Sequence, residues 1–381
     1  MAVHSGKNGD GWPVEESLDE LAQLASTAGA EVVGRLWQKL PVPNRAYYLG
    51  KGKLEELVAA RDSSGCNVVI FDDELSPLQQ RNLEEALKVK VIDRVALILD
   101  IFARHAHTHE GKLQVELAQH QYLLPRLAGQ WAHLERLGGG IGTRGPGESQ
   151  LETDRRLINR RITQLKSKLE EVHKHRELYR QQRRKSNLPI VALVGYTNTG
   201  KSTLLNALSQ AGVLAEDKLF ATLDPTTRRL TLPDKSAALM SDTVGFIRKL
   251  PPTVIDAFRA TLEELTEASI ILHVVDLSSK NAADQCQVVE DILTDLGVEE
   301  KPRITALNKI DLMFKFSEEW DEEEAVSYLT RMVSGVEKNK NMLMISAKKG
   351  WGLKKLLAGI NHTINLEKTS MSPEPPKNEA L

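Results

Sequence analysis

The segment Gly195-Tyr-Thr-Asn-Thr-Gly-Lys-Ser202 constrains this chain more than any other. It fits GxxxxGK[ST], the phosphate-loop pattern, whose chemistry requires a strand before it and a helix after it. Leu188-Pro-Ile-Val-Ala-Leu-Val194 is a short apolar run that reads as a buried strand, and Thr203-Leu-Leu-Asn-Ala-Leu208 reads as the opening of a helix. In that setting Gly195, Tyr196, Thr197, Asn198, Thr199 and Gly200 wrap backbone N–H groups around a phosphate, and the helix N-terminus adds its positive dipole end. Lys201 then reaches the β- and γ-phosphates, and the Ser202 hydroxyl holds Mg²⁺. The alternative is a glycine turn between strand and helix with no ligand.

Further motifs follow in order, each after an apolar run. Asp242-Thr243-Val244-Gly245 comes after Ala237-Ala-Leu-Met240. A DxxG at a strand end sets a carboxylate near the metal and a glycine N–H near the γ-phosphate. Asn308-Lys309-Ile310-Asp311 comes after Ile304-Thr-Ala-Leu307. The Asp311 carboxylate accepts from guanine N1–H and the exocyclic amine, a pair that adenine does not offer, and an unpaired buried carboxylate discriminates strongly. Ser346-Ala347-Lys348, after Met342-Leu-Met-Ile345, reads as the loop that packs on the base. The ordered set predicts a GTP-hydrolysing α/β domain.

Several segments resemble the HflX family: Asp242-Thr-Val-Gly-Phe-Ile-Arg248, Leu219-Phe-Ala-Thr-Leu-Asp-Pro-Thr-Thr227, Thr108-His-Glu-Gly-Lys-Leu-Gln-Val-Glu-Leu-Ala-Gln119 and the glycine-rich stretch from Gly139 to Arg156. The likeness runs from about residue 20 to about 365. It implies a translational GTPase that binds the large ribosomal subunit and acts in ribosome splitting, rescue or assembly. It also implies that Thr222 is the switch I threonine that closes on Mg²⁺ and the γ-phosphate. Spacing alone does not choose Thr222 over Thr226 or Thr227. Phe220, Ala221, Leu223 and Asp224 belong with it to the expected GTP site. In the family the glycine-rich loop approaches the peptidyl-transferase centre. Rival readings are an RNA-remodelling or tRNA-modification NTPase, and a nucleotide-gated RNA-binding switch with negligible turnover.

The expected fold class is α/β: an N-terminal parallel α/β domain, an antiparallel helical hairpin, then a P-loop GTPase domain. Residues 1–17 are expected to be flexible and residues 18–110 to form the first domain. There Val32–Leu36, Asn67–Phe71 and Val89–Ile92 read as strands, and Leu54–Ala60, Pro77–Leu87 and Val95–Ala106 as helices, an alternation that implies βαβ units. Residues 111–187 are expected to form the hairpin, 188–366 the G domain and 367–381 a disordered tail.

The hairpin holds two helical patterns, one over 112–137 with a kink at Pro125, and one over 150–185. In the second, Ile158, Ile162, Leu165, Leu169 and Val172 form a heptad seam. Charge separates this element from the rest. The chain's net charge is −2, yet between Arg155 and Lys185 stand twelve Lys or Arg against three Glu. Such a run is often only a solvated face. Concentrated here in an almost neutral chain, it reads as a footprint for RNA phosphates, with Arg144, Arg155, Arg156, Arg160 and Arg161 as contacts.

Composition adds bounds. With 41% hydrophobic and 27% charged residues over 381, the chain is of the ordinary globular kind with room for two or three domains. Cys66 and Cys286 lie far apart and suit a reducing compartment. No apolar run reaches a membrane-spanning length. The first twenty residues contain Asp10, Glu15, Glu16 and Asp19 and no Arg, against a targeting leader, so a cytoplasmic monomer is expected.

The position after DxxG is Phe246. In Ras-like enzymes a Gln there orients the attacking water. Phe246 has no polar group, so intrinsic hydrolysis is expected to be slow. Two routes remain: the ribosome orders Thr222 and Gly245, or Asn198 in the phosphate loop holds a K⁺ against the phosphates. Asn198 as a loop-shaping residue is the alternative to the second route.

Overall fold

The computed structural model describes residues 1–4, 12–127, 146–185, 188–209, 219–220, 222–251, 254–255, 259–314, 320–332 and 341–371. The chain divides into two units. Met1–Leu178 with Lys249–Phe258 forms the first, and Tyr179–Arg248 with Arg259–Leu381 the second.

In the first unit β1 (Ala2–His4) pairs in parallel with β2 (Trp37–Lys39), and β3 (Val68–Phe71) pairs in parallel with β4 (Lys90–Asp93). Helices α1 (Val14–Thr27), α2 (Lys51–Ser64), α3 (Pro77–Leu87) and α4 (Arg94–His105) accompany them. Local chemistry sets several boundaries. Ser76 and Gln79 close a capping box at the start of α3, where Pro77 occupies a position that needs no N–H. Asp93 caps α4 by accepting from the Ala96 N–H. The core gathers Leu49, Phe71, Leu75, Leu83, Leu87 and Val91.

Beside that core lies a buried ionic cluster. Arg94, only 1% exposed, bonds Glu20 at 2.6 Å and Asp72 at 2.8 Å. Burial pushes the Asp72 carboxyl up, but Arg94 and Lys249 outweigh it and hold the group at about 2. Lys249 reaches both Asp72 and Asp73, at 2.5 and 2.6 Å.

Some expectations fail here. Residues 32–36 form no strand: Val32 and Val33 are 41% and 57% exposed, and the strand lies at Trp37–Lys39 because Ala2–His4 supplies its partner there. That pairing, with a helix from Val14, also orders parts of residues 1–17 that were expected to be flexible. Pro125 does not kink a long helix. The helix α5 (His109–Leu123) ends before it, because Pro has no N–H to continue the ladder.

The long helix α6 (Pro146–Lys185) packs part of its expected seam, with Ile158 and Ile162 only half-buried. Leu165 and Leu169 are buried with Leu113 of α5, flanked by Leu117 and Val172. Arg161 and Arg176 pair with Glu116 and Glu110 of α5 at 2.6 and 3.2 Å.

The second unit is built on a sheet of order β10-β9-β8-β5-β7-β6. Its members are β5 (Ile190–Val194), β6 (Thr226–Thr231), β7 (Ala237–Asp242), β8 (Ile270–Asp276), β9 (Arg303–Asn308) and β10 (Met342–Met344). All pairs are parallel except β6 with β7. Strand β5 is hydrogen-bonded to β7 on one side and β8 on the other, so the strand order reverses at β5. Loops at that reversal open a crevice beyond the carboxyl ends. Helices α7 (Lys201–Ser209), α8 (Arg259–Glu267), α9 (Ala282–Asp295), α10 (Glu322–Met332) and α11 (Leu353–Met371) belong to this unit. The core gathers Val191, Leu193, Leu204, Met240, Leu272, Val274 and Ile360, each 0% exposed. Helix α11 continues to Met371, so Glu367–Met371, expected in the tail, are helical. Among the described residues no helix is long and apolar enough to cross a membrane.

His273 in β8 is 3% exposed, and burial lowers its imidazole to about 4. The unfolded chain therefore takes up a proton near pH 6.5 that the folded chain refuses until about pH 4. Its contribution is present above pH 6.5 and is lost as pH falls through that window. Denaturant unfolding at pH 7 and pH 5 should show the wild type losing about 2 kcal/mol more than His273→Gln over that interval. Equal losses would contradict the assignment.

Candidate active site

Four carboxyl-end loops converge. The phosphate loop follows β5, DxxG follows β7, Asn308-Lys309-Ile310-Asp311 follows β9 and Ser346-Ala347-Lys348 follows β10. The parallel register places these ends on one edge, with Leu193 opposite Asp242 and Asp276 opposite Asn308.

Lys201 is 6% exposed, and its ammonium donates to the carbonyls of Gly195 at 3.2 Å and Tyr196 at 2.8 Å. Burial lowers it to about 8, against the pull of Asp242. A cation held this deep by neutral carbonyls fits an anionic ligand in the loop. Gly200 has φ 90°, and a Cβ there would stand 2.5 Å from Asn308 Nδ2. That amide donates to the Thr199 carbonyl at 2.8 Å, while Asn308 Oδ1 accepts from the Ala347 N–H at 2.9 Å. Asn308 therefore ties the phosphate loop to the base loop. Asn198 adopts φ 59°, a conformation that Asn tolerates well, so backbone shape also accounts for this residue type.

Three oxygens meet beside Lys201. Ser202 Oγ donates to Asp242 Oδ2 at 2.7 Å and lies 2.8 Å from Thr222 Oγ1, which itself donates to Asp242 Oδ2 at 3.0 Å. Asp242 is 1% exposed, its Oδ1 has no hydrogen-bond partner among the described residues, and burial raises its carboxyl. Two hydroxyls, a carboxylate and an unsatisfied buried oxygen fit a small hard cation. Spacing left Thr222, Thr226 and Thr227 open; the geometry brings Thr222 to this cluster, while Thr226 and Thr227 lie in β6.

Asp311 is 6% exposed and accepts from the Ser346 hydroxyl at 2.6 Å, which fixes one carboxylate oxygen. Lys309, at φ 63°, turns the chain and pairs with Asp276 at 2.8 Å. Sequence reasoning missed Asp276, although it closes the apolar run of β8 just as Asp242 closes that of β7.

The segment after DxxG lies along the phosphate loop. The Phe246 N–H donates to the Gly195 carbonyl at 3.0 Å, the Thr197 N–H to the Phe246 carbonyl at 2.7 Å, and the Arg248 N–H to the Tyr196 hydroxyl at 3.0 Å. Thr243 bonds the Leu193 carbonyl at 2.5 Å and Val244 is 1% exposed, so their side chains serve the sheet. Phe220, at φ 57°, and Leu223 are buried; Asp224 is partly exposed. Lys348 is exposed. Ala221 and Arg144 lie outside the described residues. On α6, Arg155 and Arg160 are exposed, Arg156 pairs with Glu152 at 2.7 Å, and Arg161 is engaged by Glu116.

Residues 15–103 match the family described as GTP-binding GTPase N-terminal, 105–183 the GTP-binding GTPase Middle Region and 190–309 the 50S ribosome-binding GTPase. The chain is 53% identical over 350 residues to GTPase HflX of Caldanaerobacter subterraneus, covering 92% of this chain and 77% of the relative. The chain belongs to the HflX family of GTPases. HflX of Escherichia coli K12 is 45% identical over 352 residues, covering 92% of this chain and 80% of that protein. A crystal structure of SsGBP with GDP shares 26% identity, with TM-score 0.49, over 96% of this chain and 98% of that one. As an HflX GTPase the chain hydrolyses GTP to GDP and phosphate.

Proposed function

We propose that this HflX GTPase acts on the large ribosomal subunit, with Mg²⁺, in splitting or rescuing ribosomes or assisting their assembly. The observation that carries the ribosomal part is α6: a 40-residue helix that buries an apolar seam against α5 and leaves Arg155 and Arg160 exposed. The family description of a 50S ribosome-binding GTPase for residues 190–309 supports the same partner.

In this reading Lys201 and the phosphate-loop N–H groups bind the β- and γ-phosphates, and Asp311 reads guanine. Ser202, Thr222 and Asp242 hold the Mg²⁺. When bound, that ion neutralises charge developing on the phosphate oxygens. Water attacks the γ-phosphorus, the bond to the bridging oxygen breaks, and GDP departs. Phe246 is buried and apolar and cannot orient that water, so turnover depends on order supplied around Thr222 and Gly245.

GTP turnover should rise steeply when large subunits are added, with a smaller gain in K⁺ than the subunits give. Fast turnover in Na⁺ without subunits would remove both the ribosomal and the K⁺ route. Absent turnover with subunits bound would leave the nucleotide-gated RNA switch. Replacing Arg155, Arg156, Arg160 and Arg161 with Ala should weaken co-sedimentation with large subunits and flatten its salt dependence, each lost phosphate contact lowering the slope by about 0.7–0.9. GTP affinity should stay as it was. Unchanged sedimentation at two salt concentrations would sink the footprint.

A further inference from the structure

The phosphate-loop pattern leaves its second position open, because phosphates are held there by backbone N–H groups. Phosphate binding therefore does not explain a tyrosine at Tyr196. Its ring is buried, 3% exposed, and its hydroxyl accepts the Arg248 N–H, 52 residues away. Arg248 is itself 8% exposed, so this bond lies away from solvent. The bond is the last of three rungs between the phosphate loop and the segment after DxxG. Gly195 and Thr197 supply the others, through Phe246. At Lys249 the chain turns off with φ 54°. The register so held presses Gly245 onto the loop: a Cβ there would stand 2.8 Å from Thr197 Cα. In the same state Thr222 is closed on Ser202 and Asp242.

We propose that Tyr196 is a positioning residue for GTP hydrolysis, its hydroxyl holding residues 245–248 in the register that puts Gly245 against the phosphate loop. Phe246 offers the water no hydrogen bond, so the placement of this backbone is what the chain contributes there. The Tyr196 hydroxyl secures it from the loop side, whatever the residue's backbone N–H does at the phosphates.

Tyr196→Phe keeps the ring and removes only the hydroxyl. Single-turnover hydrolysis of GTP by the full chain should slow about threefold to tenfold, the range for one lost hydrogen bond. GDP affinity should hold, and the unfolding midpoint should drop by no more than the loss of one hydrogen bond, because residues 245–248 can loosen locally without global unfolding. Amide exchange at Arg248 should quicken. A wild-type hydrolysis rate in the variant would overturn the proposal. So would a parallel fall in rate, GDP affinity and unfolding midpoint, which marks a packing role. Should the variant not fold, the wild type decides: with a non-hydrolysable GTP analogue bound, slow Arg248 amide exchange supports the register and fast exchange refutes it.

Discussion

Asp311→Asn should turn the chain from a GTP enzyme toward a xanthine-nucleotide enzyme. The carboxylate is buried, and Ser346 occupies only its Oδ1, so the group is held in place for a base. In the proposed reading two hydrogen bonds from guanine to this charged acceptor give the selectivity, each worth about 1.5–3 kcal/mol. The substitution exchanges one acceptor for a donor. It therefore meets guanine donor to donor and meets the xanthine carbonyl correctly. GTP affinity should fall by about two to four orders of magnitude, with xanthosine triphosphate gaining. Asn can still accept from the Ser346 hydroxyl, so the loop should keep its shape. Competition of GDP and xanthosine diphosphate for a fluorescent nucleotide measures this directly. Full retention of guanine preference would show that another group reads the base.

The second large effect is expected at Gly245. An added methyl would stand 2.8 Å from Thr197 Cα, 3.0 Å from Thr197 Cγ2 and 3.0 Å from Lys201 Nζ. The first of these atoms is backbone of the phosphate loop and cannot swing aside. Gly245→Ala must therefore push the DxxG segment off the loop and separate it from the γ-phosphate position. A displacement of about 1 Å near reacting atoms can cost about a hundredfold in rate. Hydrolysis should fall by about that factor while GDP binding persists, since Ser202 and Asp311 are untouched and the Lys201 ammonium, the end of a flexible side chain, can give way by a few tenths of an ångström. A variant that turns GTP over normally would mean that the segment moves away from Thr197 during catalysis.

Much of the site could be read from the chain before any coordinates. The phosphate loop, DxxG, Asp311 as the proposed guanine reader and the proposed base loop each carry their chemistry in residue type and local spacing, and each follows an apolar strand. The heptad seam of α6 was equally legible, because period alone selects the face that buries Leu165 and Leu169. The edges of the reading show its limits. Val32–Leu36 has strand composition but forms no strand, while Trp37–Lys39 pairs with Ala2–His4. Strand formation there depends on a neighbour distant in sequence, and no local pattern names it.

The same reason separates what sequence and tertiary structure determined about this protein. By itself the sequence determined the reaction class, the base that is read and the α/β order of elements, since these rest on contiguous motifs and periodicities. Only the tertiary structure decided that Thr222, among three nearby threonines, meets Ser202 and Asp242, and that Asn308 braces two loops rather than standing alone. It also decided that Asp276 answers Lys309 and that the Tyr196 hydroxyl takes the Arg248 N–H. Each of these bonds joins loops or element ends that the sheet brings side by side, and a hydrogen bond needs its partners within about 3 Å, a distance set by tertiary placement rather than by composition.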